Sequence, residues 1–210
     1  MENKIESEQI TYSKKRKFWF EIKDLLAGIA FPFIITIVFS TTIISFSSDR
    51  DADLTIKLIS MIGGEILLIA AMIIFGRANG SSAYKKTVLH DRKRALGSAD
   101  EFAVYGTGEY KLWKGFLLGF LVTVPFIIFL IIELIVPNTF CSFCLKYVFA
   151  WAYSPVTFFD EKLQALSFVM VLLPTGVHAL GYYLGKLKEL KVQQNIASQE
   201  NERKNKRKRK

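Results

Sequence analysis

The chain has 210 residues, of which 51% are hydrophobic and 22% charged, with a formal net charge of +9 and a mean hydropathy of +0.27. A water-soluble domain of this length spreads its apolar residues in amphipathic patterns, whereas here they gather into blocks, which excludes an ordinary soluble globule. With two histidines and two cysteines, and no HExxH motif, Ser–His–Asp arrangement or nucleotide fingerprint, the common hydrolase and nucleotide chemistries have no footing.

The first 17 residues are polar and charged and read as a disordered or frayed-helical segment. "KFWFEIKD", Lys17–Asp24, brings Phe18, Trp19 and Phe20 to the start of the first apolar block, where aromatic rings suit a headgroup region. Leu25–Phe46 then carries no charge. A helix needs about 20 apolar residues to cross a hydrocarbon core of about 30 Å, so this block is the first predicted span. It is too long and too late in the chain for a cleaved signal peptide. The short acidic connection "SSDRDAD" predicts a tight antiparallel pair with the second span, Leu54–Gly76, which carries Lys57 and Glu65.

The loop from 76 to 114 is long for a structureless link. Ser82 is a candidate N-cap and Gly97 a candidate stop, and between them Tyr84, Val88, Leu89, Ala95 and Leu96 alternate with basic residues. That pattern predicts an amphipathic helix lying on the inner leaflet. "AVYGTGEYKLW" follows as a turn around Gly106–Gly108 or a short hairpin, and its G-x-G lacks the context of a phosphate loop. Asn79-Gly80-Ser81 matches a glycosylation acceptor but falls on the cytoplasmic side of the predicted topology.

The third span, Gly115–Val136, carries only Glu133, near its outer end, read as an interfacial residue. Residues 137–165 are rich in Phe, Tyr and Trp and poor in charge; exposed to water they would form a large apolar patch, so they are expected to fold as an outer cap partly embedded in the interface. The fourth span is Leu166–Gly185, and a basic tail ends in "NERKNKRKRK".

Of the 28 Lys and Arg residues, 24 fall in residues 1–24, 76–114 and 186–210. By the positive-inside rule all three segments are cytoplasmic. The expected fold is an all-α integral membrane protein with four transmembrane helices in two antiparallel hairpins and both termini inside. Residues 1–22 form the cytoplasmic N-terminus, 23–185 the membrane domain and 186–210 the basic cytoplasmic tail, with the loop helix on one face and the aromatic cap on the other. The tail reads as attracted to anionic lipid headgroups, at about 1 kcal/mol per basic residue held near the surface, in preference to nucleic acid, since no aromatic interleaving accompanies it.

Glu65 stands alone in "MIGGEILLIA", ten residues beyond Thr55 and so about 15 Å into the core. A carboxylate there is costly when ionised and is a functional candidate by default. Gly63 and Gly64 just before it would let a neighbouring helix approach. His178, twelve residues beyond Leu166, falls at a compatible depth of about 18 Å, making Glu65 and His178 a candidate polar pair: a proton- or cation-handling site, or a hydrogen bond that fixes packing. Pro32, Pro125 and Pro174 each interrupt a span, with Thr36, Thr123 and Thr175 nearby to satisfy freed carbonyls.

Cys141-Ser142-Phe143-Cys144 contains both cysteines. C-x-x-C spacing allows an exchangeable disulfide, and with the helix count it resembles four-helix membrane thiol oxidoreductases of the disulfide-bond-forming and vitamin K epoxide reductase types. That resemblance implies a redox role for Cys141 and Cys144, although those families use a second outer cysteine pair that this chain lacks. Two thiolates without further ligands do not make a zinc site, and no metal or cofactor is expected. The leading expectation is therefore a non-enzymatic multi-pass protein of a bacterial plasma membrane, an accessory or transport-related subunit that works with a second copy or another membrane protein. A proton- or cation-coupled transporter protomer using Glu65 and His178 is the first alternative, and a thiol oxidoreductase the second.

Overall fold

The computed structural model describes residues 2–47, 54–98, 101–158 and 161–208, and all regular structure among them is helical. In chain order these are α1 (Glu2–Ser47), α2 (Leu54–Ala95), α3 (Glu101–Tyr105), α4 (Leu112–Ile135), α5 (Thr139–Phe143), a π-helical segment (Cys144–Val148), α6 (Ala150–Thr157), a 3-10 segment (Glu161–Val171) and α7 (Leu172–Lys208). Among the described residues four helical stretches are long and apolar enough to cross a membrane: Lys15–Thr41, Leu54–Ala95, Leu112–Ile135 and Lys162–Gln199. The acidic connection at 48–53 lies outside the described residues.

The predicted separate loop helix is instead the continuation of α2, which runs unbroken from Leu54 to Ala95. Asn79-Gly80-Ser81-Ser82 looks like a breaker in sequence, but Gly80 has an ordinary negative φ and is buried against α7. A Cβ on Gly76 would meet the His178 carbonyl, and one on Gly80 the Tyr182 carbonyl. In return, Gly181 packs on Ile73 and Gly185 on Arg77. These are two facing G-x-x-x-G stripes, the spacing that brings two helix backbones into direct contact in lipid. Tertiary packing of the stripes, extended by Ser81 donating to Glu189 at 2.6 Å, holds residues 82–95 upright against α7. The helix therefore does not lie flat on a leaflet. By contrast a Cβ on Gly63 meets nothing, so that glycine mediates no close approach.

Residues 139–157 differ from the expected cap in a second way. Leu145, Ala150, Trp151 and Ala152 are fully buried and share one core with Leu68 and Met72 of α2 and Val122, Phe126 and Leu130 of α4. The segment dips into the bundle rather than resting on its end. Trp151 reaches Phe126, ring centroids 5.8 Å apart, nine residues before the end of α4 and so about 14 Å inside it. Glu133 anchors the descent: its carboxylate accepts from the Asn138 backbone N–H at 3.2 Å and from the Ser142 hydroxyl, which ties the end of α4 to α5. The change from π to α geometry at Phe149 (φ −115°, ψ 28°) makes the turn at the bottom.

Candidate functional site

The contacts between helices set the depth of each polar group. Gly76 of α2 lies against His178, and the His178 ring donates from Nδ1 to the Gly115 carbonyl of α4 at 3.0 Å. Gly119 meets Pro174 and Thr175, so α7 and α4 pass in opposite directions. His178 is therefore level with the basic end of α4. Glu65, eleven residues before Gly76, lies about 16 Å further along, level with the region of Ile127 in mid-span.

The structure does not bring Glu65 and His178 together. The sequence estimate for His178 was displaced because the fourth crossing begins earlier than its apolar block: residues 161–171 are helical despite Glu161 and Lys162, and as a 3-10 segment they rise about 2 Å per residue. Leu166 is thus already deep, and His178 lies at the far edge.

At that edge one polar group from each long helix converges. Asn79 of α2 donates to the Gly28 carbonyl of α1 at 3.1 Å and lies 3.3 Å from His178 Nε2. With Nδ1 donating to Gly115, Nε2 is the acceptor and His178 is the neutral Nδ1–H tautomer, as assigned from its partners. Gly28 needs this donor for a definite reason. Pro32 has no N–H, so the carbonyl four residues earlier loses its helical partner. The predicted threonine hydroxyls go elsewhere: Thr36 to Phe33, Thr123 to Phe120 and Thr175 to Val171. Asn79, discarded in sequence as a glycosylation site, is the residue that meets a proline-freed carbonyl.

Beyond this knot the basic end is laced with ion pairs. Lys114, almost fully buried, meets Glu21 at 2.6 Å, and Glu21 also accepts from the Gly108 backbone at 3.3 Å. Lys86 pairs with Asp24, and Glu109 takes both His90 and Arg94. Tyr110 stacks on Tyr182 at 4.9 Å beneath the Lys186 ammonium; burial, and secondly Tyr183, push the Tyr110 hydroxyl above the usual tyrosine range.

In mid-span the picture reverses. Both oxygens of Glu65 are buried, with no hydrogen-bond partner among the described residues. The Trp151 indole N–H and the Ser167 hydroxyl are also buried and unpartnered. Trp151 is at the depth of Phe126, and Ser167 falls within about one turn of the Glu65 level. These three unmatched groups share one depth, whereas at the basic end the Tyr110 hydroxyl is the buried group left without a partner among the ion pairs.

Cys141 and Cys144 are buried and unbridged in the descending segment. Thiol exchange requires access to a thiolate, which burial denies. Alkylation of the folded protein by a membrane-impermeant maleimide is expected to be at least about tenfold slower than after unfolding, and a mass shift of two adducts on the native protein within minutes would contradict this. Among the described residues no group of three His, Cys, Asp or Glu side chains is placed to hold a metal.

No protein-family model, curated protein or solved structure matches this chain.

Proposed function

We propose that this chain is a non-enzymatic, transport-related subunit of a bacterial plasma membrane, in which Glu65 is the group that takes up a proton or cation. On this reading the four spans form two antiparallel hairpins, with the ion-paired basic end and both termini in the cytoplasm. The supporting observation is the Glu65 carboxylate, buried in mid-span with both oxygens unpartnered. An ionised carboxylate at that depth costs about 2.5 to 3.5 kcal/mol on insertion scales. It relieves that cost by binding a proton or a cation, and an energy difference between bound and empty states is what coupling requires. His178, satisfied at the cytoplasmic edge by Asn79 and Gly115, is left out of the ion site. Because four helices enclose little space, the path requires a second copy or another membrane protein. Anionic headgroups are the proposed contact of the basic tail, which follows the tie of α7 to α2 at Glu189.

Reconstituted proteoliposomes test the role. Glu65→Gln is expected to abolish proton or cation flux, because the amide cannot titrate. Glu65→Leu is expected to abolish flux and raise thermal stability in detergent, since it removes unpartnered buried oxygens and leaves no imidazole without a partner. Flux at the wild-type rate in Glu65→Gln, or a loss of stability in Glu65→Leu, contradicts the proposal. Topology is tested separately by cysteine accessibility: positions 49–53 label from outside, whereas 85–94 label only after permeabilisation. Labelling of 85–94 in intact cells reverses the orientation.

A further inference from the structure

The cytoplasmic edge contains space as well as charge. A cavity of about 170 Å³ is lined by Asp24, Gly28, Asn79, Lys86, Lys114 and Tyr182, with Leu25 and Leu118 as apolar wall. A second of about 300 Å³, between Phe20, His90, Phe102 and Gly108, shares Asp24 and Lys86 with the first. Both lie at the start of α4, where Lys114 is the third residue of the helix, and so at the depth of inner-leaflet headgroups on the orientation proposed above.

The crevice presents charges of both signs, Lys86 and Lys114 against Asp24. Lys86 faces Asp24, and Lys114 faces Glu21 behind it. A ligand with negative charge alone would meet the Asp24 carboxylate, and one with positive charge alone would meet the Lys86 and Lys114 ammonium groups. A zwitterion with a phosphate and an ammonium matches both, since the phosphate can take the place of Asp24 on Lys86 and the ammonium the place of Lys86 on Asp24. The Lys86–Asp24 pair is placed to open: it lines both cavities, and its side chains are 41% and 37% exposed. Lys86 also lies over the backbone of Gly108, whose φ of +73° and missing Cβ leave room for the ammonium to swing; a Cβ there would be 3.0 Å from Lys86 Nζ.

We propose that these joined cavities bind a phosphoethanolamine group, with Lys86 and Lys114 on the phosphate and Asp24 on the primary ammonium. A trimethylammonium group has no N–H to donate to Asp24, and a glycerol headgroup has no cation for it. The same chemistry is carried by an aminophospholipid of the inner leaflet and by free O-phosphoethanolamine. The apolar wall of Leu25 and Leu118 suits the glycerol end of the lipid.

Native mass spectrometry of the full-length protein, titrated with phosphatidylethanolamine, phosphatidylglycerol, phosphatidylcholine or O-phosphoethanolamine, tests this. Phosphatidylethanolamine is expected to bind at least about tenfold more tightly than the other two lipids, the worth of one charge-assisted hydrogen bond. Asp24→Asn and Lys86→Gln should each lose that margin. The charge swap Asp24→Lys/Lys86→Asp keeps the ion pair and hence the fold, checked by an unchanged Tm, but inverts the polarity. A lipid anchored at its phosphate end cannot turn round, so the swap should lose the lipid while free O-phosphoethanolamine still binds. Binding of O-phosphoethanolamine without the lipid supports the site and assigns it a soluble ligand. Equal binding of phosphatidylglycerol, absence of both phosphoethanolamine ligands from the wild type, or unchanged lipid binding in the swap overturns the proposal. None of these outcomes depends on ion flux through Glu65.

Discussion

Gly80→Ala is expected to lower the thermal stability of the protein in detergent, although alanine is the better helix former. The gain from propensity is about 1 kcal/mol. Against it, the new methyl would fall on the Tyr182 carbonyl, carbon and Cα, all backbone atoms that no rotamer change can move. The two helices must separate, and the displacement spreads along the stripe to the Gly76–His178 and Gly185–Arg77 contacts. Overpacking costs about 1–3 kcal/mol and more where the obstacle is rigid, so the net change is a loss. Gly63→Ala is the control: its Cβ meets nothing, so the propensity gain stands unopposed and stability should hold or rise. A lower Tm for Gly63→Ala than for Gly80→Ala would mean that the stripe does not join α2 to α7.

The stripe is readable in the sequence, as Gly76-x-x-x-Gly80 and Gly181-x-x-x-Gly185, whereas Gly63-Gly64, next to the buried charge, makes no close approach at Gly63. Apolar block length reveals spans well, since hydrocarbon thickness imposes it and few other patterns mimic it. It does not reveal where a helix stops once it leaves the lipid. The unbroken course of α2 past Asn79-Gly80 follows from packing on α7, which no local propensity encodes. The same limit displaced His178. Its apolar block begins at Leu166, whereas the helical stretch begins several residues earlier in a charged 3-10 segment. The inward course of residues 139–157 was half visible: too many aromatics for a watery loop, but no periodic signal that the bundle would take them in.

Asn79→Ala is expected to be among the most destabilising single changes, and its cost should depend on Pro32. Removing the amide strips the donor from the Gly28 carbonyl and from His178 Nε2 together. A buried group left unsatisfied costs about 1–3 kcal/mol. His178 cannot recover by turning, because its other nitrogen is held by Gly115. The Gly28 share arises only because residue 32 has no N–H to offer. Pro32→Ala restores that N–H, so the Gly28 carbonyl regains its own helical bond and no longer needs Asn79. A double-mutant cycle measured as thermal or denaturant stability in detergent should therefore show Asn79→Ala costing less in the Pro32→Ala background than in the wild type, by about 1–3 kcal/mol, the Gly28 portion. The remaining cost, from His178, should persist in both backgrounds. Strict additivity would mean that Asn79 does not serve the carbonyl that Pro32 frees.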